Sequence, residues 1–252
     1  MSNNLKNFYE DRYKEDALKK ELRIIEYTKY PTNRIEACLK YFKDINFTGE
    51  ILELGAGDGT MANTLLNSNL KITKYLATDF AENRLVSIKN NINSDILDVK
   101  QIDVDSFDAN EYGKYDAVIM LALIEHLFNP IVAMKEVRKL LKPDGIAFVQ
   151  TPNIADLGHR LKLLRGRFPS TASKNEGLTP YKGGKVENYD QGHLHYFTYR
   201  SLSLMLKNNC EYSKTNKYYT PTGKLFFGKK IHNFLAKIKP EMFSSVFIVA
   251  HY

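Results

Sequence analysis

The chain reads as an α/β protein built on a doubly wound, mostly parallel sheet of seven strands. Two observations predict this. Between residues 50 and 150, short apolar runs alternate with longer amphipathic ones, the pattern of strands joined by helices that cover both faces of a parallel sheet. The first apolar run then passes directly into "GAGDG", with Gly55, Gly57 and Gly59 at alternate positions. A glycine turn between a strand and a helix lets the backbone fold tightly and brings N–H groups and the helix N-terminus against a ligand.

Each element follows in order. The first 48 residues are expected to be helical, because "YEDRYKEDALKKELRIIEYTKY" (9–30) carries a 3.6-residue pattern that Pro31 breaks. "EILEL" (50–54) is the first strand, 58–67 a helix, "KYLAT" (74–78) a strand and 81–92 a helix. "VKQI" (99–102), "YDAVIML" (115–121) and "GIAFVQ" (145–150) supply three more strands, with a helix over 130–141 before the last of them. After Pro152 the alternation stops. Residues 153–192 are polar and rich in Gly, Lys and Tyr, and an irregular segment of that length is expected to serve as a lid or cap. A helix over 199–208, a strand near 212–219 and a last strand "VFIVAHY" (246–252) complete the sheet. The reading divides the chain into an N-terminal helical segment (1–48), a ligand-binding core (49–152), a cap (153–198) and a C-terminal completion of the sheet (199–252). It contains no internal repeat and no independent second domain.

Composition narrows the class. An apolar fraction of 43% with 26% charged residues is that of an ordinary globular protein. The N-terminus lacks the apolar run of a secretory signal. The longest apolar stretch, Ala117 to Ile124, falls far short of the roughly 20 residues of a membrane span. Cys38 and Cys210 have neither metal-ligand spacing nor a disulfide framework, so a cytoplasmic location is expected. The net charge of +7 is uneven: residues 1–159 hold 20 Lys/Arg against 24 Asp/Glu, whereas 160–240 hold 16 against 4. Such a split points to an anionic partner or to a lysine-rich solvated surface.

The glycine turn does not follow G-x-G-x-x-G, since Thr60 stands where a dinucleotide-binding turn has its third glycine. This disfavours a nicotinamide dehydrogenase. "ELGAGDG" (53–59) instead resembles the first motif of class I S-adenosylmethionine (SAM) methyltransferases. "YLATDF" carries Asp79 and Phe80 where that family places the acid for the ribose hydroxyls. "QIDVDSF" carries Asp103 and Val104 where the family meets the adenine. "YDAVIMLALIEHLFNP", which contains Leu121, and "LLKPDGIAFVQTPN" resemble the fourth and fifth strands, with Asp144 standing where a glycine is commoner. The "IEHL", "LKPDG", "TPN" and "GHLHYFT" details are similar to the ubiquinone-biosynthesis-like branch of small-molecule O-methyltransferases, although "NNCEY" replaces its usual Gly-Phe pair.

The resemblance implies a Rossmann-like fold, SAM as cofactor with S-adenosylhomocysteine (SAH) as product, and an N-terminal segment covering the cofactor. Its implied cofactor residues are Arg34, Glu53, Gly55, Ala56, Gly57, Asp79, Phe80, Asp103, Val104 and Leu121. Each has a plainer reading as well. Arg34 reads equally as a surface arginine on a helix, Glu53 as a loop cap, Asp79 as a helix cap and Asp103 as one member of a solvated acidic loop with Asp105 and Asp108.

A hydroxyl acceptor needs a base, and histidine titrates near neutrality. His126 follows the fourth strand beside Glu125, while His193 and His195 lie two apart and would share one face of a strand. These three are the candidate bases; the alternative is that they contact structure. A metal on His126, Asp190, His193 and His195 lacks compact ligand spacing, and none is expected. His159 is read as structural. Ile231, Phe234, Leu235 and Ile238 form an apolar stripe at helical spacing, opposed by Lys230, Lys237 and Lys239. It is expected to pack on the protein's own sheet, or else to lie in a membrane interface near a lipid-linked acceptor. The expected function is O-methylation of a small-molecule, glycan or lipid-precursor acceptor carrying negative charge. The alternatives are an RNA or nucleotide methyltransferase, for which the sequence shows no nucleic-acid module motif, and a non-catalytic SAM-binding regulator.

Overall fold

The computed structural model describes residues 22–171, 192–218 and 228–252. Among the described residues, regular structure begins at α1 (Arg34–Asp44), where the Asn33 side-chain oxygen accepts from the N–H groups of Ile35 and Glu36. Of the helix expected over 9–30, residues 22–30 run without helix and 1–21 lie outside the described residues. The reason is tertiary. Residues 22–25 lie along α2 (Thr60–Leu66), where Ile25 N–H donates to Thr64 Oγ1 at 3.1 Å and Asn63 Nδ2 donates to the Leu22 carbonyl at 3.2 Å. These bonds occupy backbone groups that a helix would have paired internally.

The sheet contains β1 (Thr48–Leu54), β2 (Lys71–Asp79), β3 (Leu97–Gln101), β4 (Tyr115–Leu121), β5 (Leu141–Pro152), β6 (Lys214–Lys217) and β7 (Ser245–His251), in the order β3-β2-β1-β4-β5-β7-β6. β7 pairs antiparallel with both β5 and β6 and alone runs against the rest. The chain order reverses between β1 and β4, so the crevice outside their C-terminal ends is where a ligand fits an open α/β sheet. Alternate residues of one strand feed opposite layers. Ile51, Ala117, Ile119 and Phe148 pack on one face with Phe42 of α1 and Ile88 of α3 (Glu82–Asn91). Leu52, Val118, Met120 and Val149 pack on the other with Met134 and Val137 of α4 (Pro130–Lys139).

Two elements differ from expectation. β5 starts at Leu141 rather than 145, because the register jumps from Tyr115↔Leu141 to Ala117↔Ile146 and the "KPDG" segment bulges out with Asp144 at φ 66°. The cap is not wholly irregular: Asp156 accepts from the His159 N–H and starts α5 (Leu157–Leu164). Residues 172–191 of the cap, with Asp190, lie outside the described residues.

α6 (Tyr199–Leu204) continues into a π-helical turn over Met205–Asn209 and covers the expected 199–208 helix. α7 (Lys229–Ile238) forms as the periodicity predicts, but the expected packing of its stripe is overturned. Ile231, Phe234, Leu235 and Ile238 are 55%, 61%, 41% and 55% exposed, while His232, Asn233 and Ala236 face inward. His232 packs edge-on against Phe243, which anchors the helix by its polar side.

Candidate functional site

The glycine turn crosses the C-terminal edge of β1 with Gly55, Gly57 and Gly59 at φ 72°, 60° and 81°, all in the left-handed region. The glycines serve different ends. A Cβ on Gly59 would lie 2.7 Å from Ile88 Cγ1, so this glycine lets α2 approach α3. A Cβ on Gly57 would meet nothing nearer than Arg84 Nη1 at 3.8 Å and would project into a cavity of about 450 Å³. Gly57 thus leaves open a cradle that any side chain would fill.

Asp79 ends β2 and holds this turn. Its Oδ2 accepts from Gly57 N–H and its Oδ1 from Ala81 N–H, each at 2.9 Å, with Arg84 Nη1 at 3.7 Å. The carboxylate therefore ties the glycine turn to the start of α3 while lining a second cavity of about 140 Å³. Phe80, Asp103 and Val104 line that same cavity, which joins the first around Gly55 and Ala122. Asp103 Oδ1 accepts from Asp105 N–H. Asp105 reaches the other way, to the N–H of Phe128 at 2.8 Å, and Asp108 caps the short turn Ala109–Glu111, so the three acids do separate work.

Arg34, Glu53, Ala56 and Leu121 line the larger cavity beside the glycine turn. Glu53 is buried and accepts from the Tyr75 hydroxyl at 2.6 Å. Burial pushes its carboxyl up to about 8, with the charges of Asp79 and Asp58 adding to the shift. Arg34 also borders a third space of about 770 Å³, together with Arg23, Gln150 and Ser245. Sharing Gly55, Arg84 and Ala122, and then Arg34, Ile35 and Asp58, these three cavities lie side by side from Val104, past the glycine turn, to the edge of β5 and β7, and together make up the cleft.

The histidines divide. His126 lies in the short turn Ile124–His126 after β4 and lines the smaller cavity. Its Nδ1 is 2.9 Å from the Gly192 carbonyl, which only accepts, so Nδ1 carries the proton and Nε2 is the basic nitrogen of the neutral ring. His193 packs edge-on against it at 4.7 Å and pairs its Nδ1 with Thr171 Oγ1. His195 does not join them, and its Nε2 lies 3.3 Å from the Phe128 carbonyl. The shared strand face expected for His193 and His195 is absent. Leu194 and His195 N–H both donate to the Glu125 carbonyl, and two successive donors on one acceptor break the alternation of a strand. His159 is structural, bridging the carbonyls of Asn153 and Ser170.

Two site residues carried little or no mark in the sequence. Glu125, read only as the neighbour of His126, is 1% exposed, and among the described residues neither carboxylate oxygen meets a donor at full hydrogen-bond geometry, although the nearby Thr151 hydroxyl and Arg34 favour its charged form. Burial pushes its carboxyl up to about 7. Glu125, His126 and His193 each offer a ligand atom, all within 4.8 Å of one another, a set able to share a proton or hold a cation. Ala122, with φ 53°, sits where the two cofactor-side cavities meet. Its N–H bonds the Gln150 carbonyl of β5, and this holds a strained conformation that nothing in "LALIEH" announces.

Comparison with known proteins bears on the family and the fold. A ubiquinone biosynthesis O-methyltransferase of Xanthomonas campestris is 27% identical over 105 residues, 41% of this chain and 43% of that protein. One from Rickettsia bellii is 28% identical over 138 residues, 53% of this chain and 54% of that protein. The chain thus spans about half the length of the curated relatives it matches. Among solved structures, an S-adenosylmethionine dependent methyltransferase from Mesorhizobium loti superposes with TM-score 0.58 at 11% identity, covering 86% of this chain and 97% of that one. The N-terminal domain of EvdMO1 with SAH bound gives TM-score 0.57 at 14% identity, covering 97% and 96%. These neighbours share the fold. A family profile described as "Methyltransferase domain" matches residues 24–209, and the chain belongs to that family.

Proposed function

We propose that the chain is a SAM-dependent methyltransferase acting on a hydroxyl of a small-molecule, glycan or lipid-precursor acceptor that carries negative charge. The observation that carries the cofactor assignment is the open cradle at Gly57, held by Asp79 between two joined cavities. The N-terminal domain of EvdMO1, which shares the fold, has been solved with SAH bound and also in the presence of SAH and D-fucose. In this reading Asp103, Val104 and Phe80 hold the adenosine. Glu53, Arg34 and the glycine turn hold the amino-acid end, where Arg34 faces its carboxylate. SAM supplies an activated methyl whose leaving group is a neutral thioether, so the protein's task is alignment and exclusion of water.

His126 takes the acceptor proton on Nε2 while its Nδ1 proton stays on the Gly192 carbonyl. Glu125 stabilises the resulting imidazolium: its buried carboxyl, pushed up to about 7, ionises most readily when a cation forms beside it. Oxygen as the acceptor atom rests on this base and on the names of the curated relatives. With Arg34 given to the cofactor carboxylate, Arg23 is the cation beside the third space that favours a negatively charged acceptor, against Asp58 of the same lining. Calorimetric titration with SAM and SAH, with NADH as control, tests the reading. Micromolar binding of the adenosyl ligands alone is expected, and binding of NADH alone would overturn it. Transfer to RNA with steep salt dependence, instead of to a hydroxylated small molecule, would overturn the acceptor class.

A further inference from the structure

We infer that α5 and α7 form a docking surface for an anionic lipid bilayer, both rooted at the sheet edge that borders the cleft. On α7 the whole stripe of Ile231, Phe234, Leu235 and Ile238 is exposed. On α5, Leu157, Leu161 and Leu164 recur at i, i+4 and i+7 and are 44%, 40% and 82% exposed, and no residue of this helix is buried. A single exposed leucine is ordinary, but two helices each presenting a full apolar face are not.

Charge selects the occupant. Residues 157–168 hold Arg160, Lys162, Arg165 and Arg167, and residues 228–239 hold Lys229, Lys230, Lys237 and Lys239; neither stretch contains Asp or Glu. Aliphatic side chains flanked by cations are the composition of a helix lying in the headgroup layer, where the apolar face enters the acyl boundary and the cations meet anionic lipid. A second copy on this face would set like charges against each other. A single-stranded nucleic acid would call for aromatic platforms rather than Leu and Ile.

Placement ties the two helices to the site. Asn153, just past the end of β5 and ahead of α5, donates its N–H to the Ser244 carbonyl. Its Nδ2 donates to the carbonyls of Glu241 and Phe243, just after α7. Both helices are therefore rooted at one junction, on the sheet edge where the C-terminal end of β5 and the start of β7 meet. Gln150 and Ser245 of that edge line the largest part of the cleft.

Vesicle flotation of the full chain tests this without cofactor, so its outcome is independent of the methyl-transfer reading. The protein is expected to float with phosphatidylcholine vesicles containing phosphatidylglycerol, at least ten-fold less with phosphatidylcholine alone, and less as salt rises. The double variant Phe234→Glu/Ile238→Glu, and separately Leu161→Glu/Leu164→Glu, are expected to lower flotation at least ten-fold while the melting temperature stays within a few degrees. The inference is overturned if anionic vesicles are not bound, or if both variants float like the parent. A concentration-dependent dimer abolished by the same substitutions would also overturn it and assign the face to a second copy.

Discussion

At the scale of single residues, the three glycines of the turn separate binding from stability. Gly57 borders open cavity but sits at φ 60°, so Gly57→Val fills the cradle and adds left-handed strain; SAM affinity by calorimetry is expected to fall at least a hundred-fold, with a stability loss of about 1–2 kcal/mol. Gly59 borders Ile88 at 2.7 Å, so Gly59→Ala combines left-handed strain with a steric clash. It is expected to cost about 2–4 kcal/mol in denaturant unfolding. His126→Ala should lower kcat at least a hundred-fold and leave the SAM dissociation constant within about three-fold. Equal loss of SAM affinity would assign His126 to the cofactor instead. The turn itself was legible in the sequence because glycine at alternate positions has few other uses. Ala122 and Glu125 were not, since a left-handed alanine and a buried carboxylate depend on contacts made by β5 and the 192–195 segment.

At the scale of elements, local signals located the helices and strands and long-range contacts decided their exceptions. Thr198 starts α6 with a capping box, its side chain accepting from Ser201 N–H while Ser201 Oγ accepts from Thr198 N–H. Thr198→Ala is expected to cost about 1 kcal/mol in thermal unfolding. At the far end of that helix Glu211 has φ 60°, in the "NNCEY" segment where the resemblance calls for Gly-Phe, and Tyr212 fills the buried place that follows. Glu211→Gly relieves the strain and is expected to stabilise the fold by about 0.5–1 kcal/mol, read as a raised melting temperature. The N-terminal pattern over 9–30 shows the limit of periodicity: at residues 22–25 the side chains of Asn63 and Thr64 took the backbone groups that a helix would have used. The α7 stripe shows another. Spacing announced an apolar face, and only the fold reveals that His232 and Ala236 face inward in its place.

At the scale of the whole molecule, two buried carboxyls set the pH response. Glu53 is pushed up to about 8 and Glu125 to about 7, both above an ordinary 4.5. Between 4.5 and those values the folded chain holds protons that the unfolded chain has released, so stability is greatest on the acid side and falls as pH rises through 7 to 8. The Glu53 share is on the order of a few kcal/mol. Glu53→Gln is expected to flatten urea-unfolding stability between pH 5 and pH 8, and an unchanged slope would remove Glu53 as the source. The fold class was legible because apolar runs alternating with amphipathic ones between residues 50 and 150 allow few arrangements. The charge split was legible too, but its placement on two helices at one edge required the chain to be folded.

That placement changes what "substrate concentration" means for this protein. If the inferred bilayer docking holds and the acceptor is lipid-borne, a molecule docked through helices rooted at Asn153 meets that acceptor by lateral diffusion in two dimensions. Its rate then follows the mole fraction of acceptor in the bilayer, and diluting that bilayer with inert lipid slows turnover even when the total amount of acceptor is held constant.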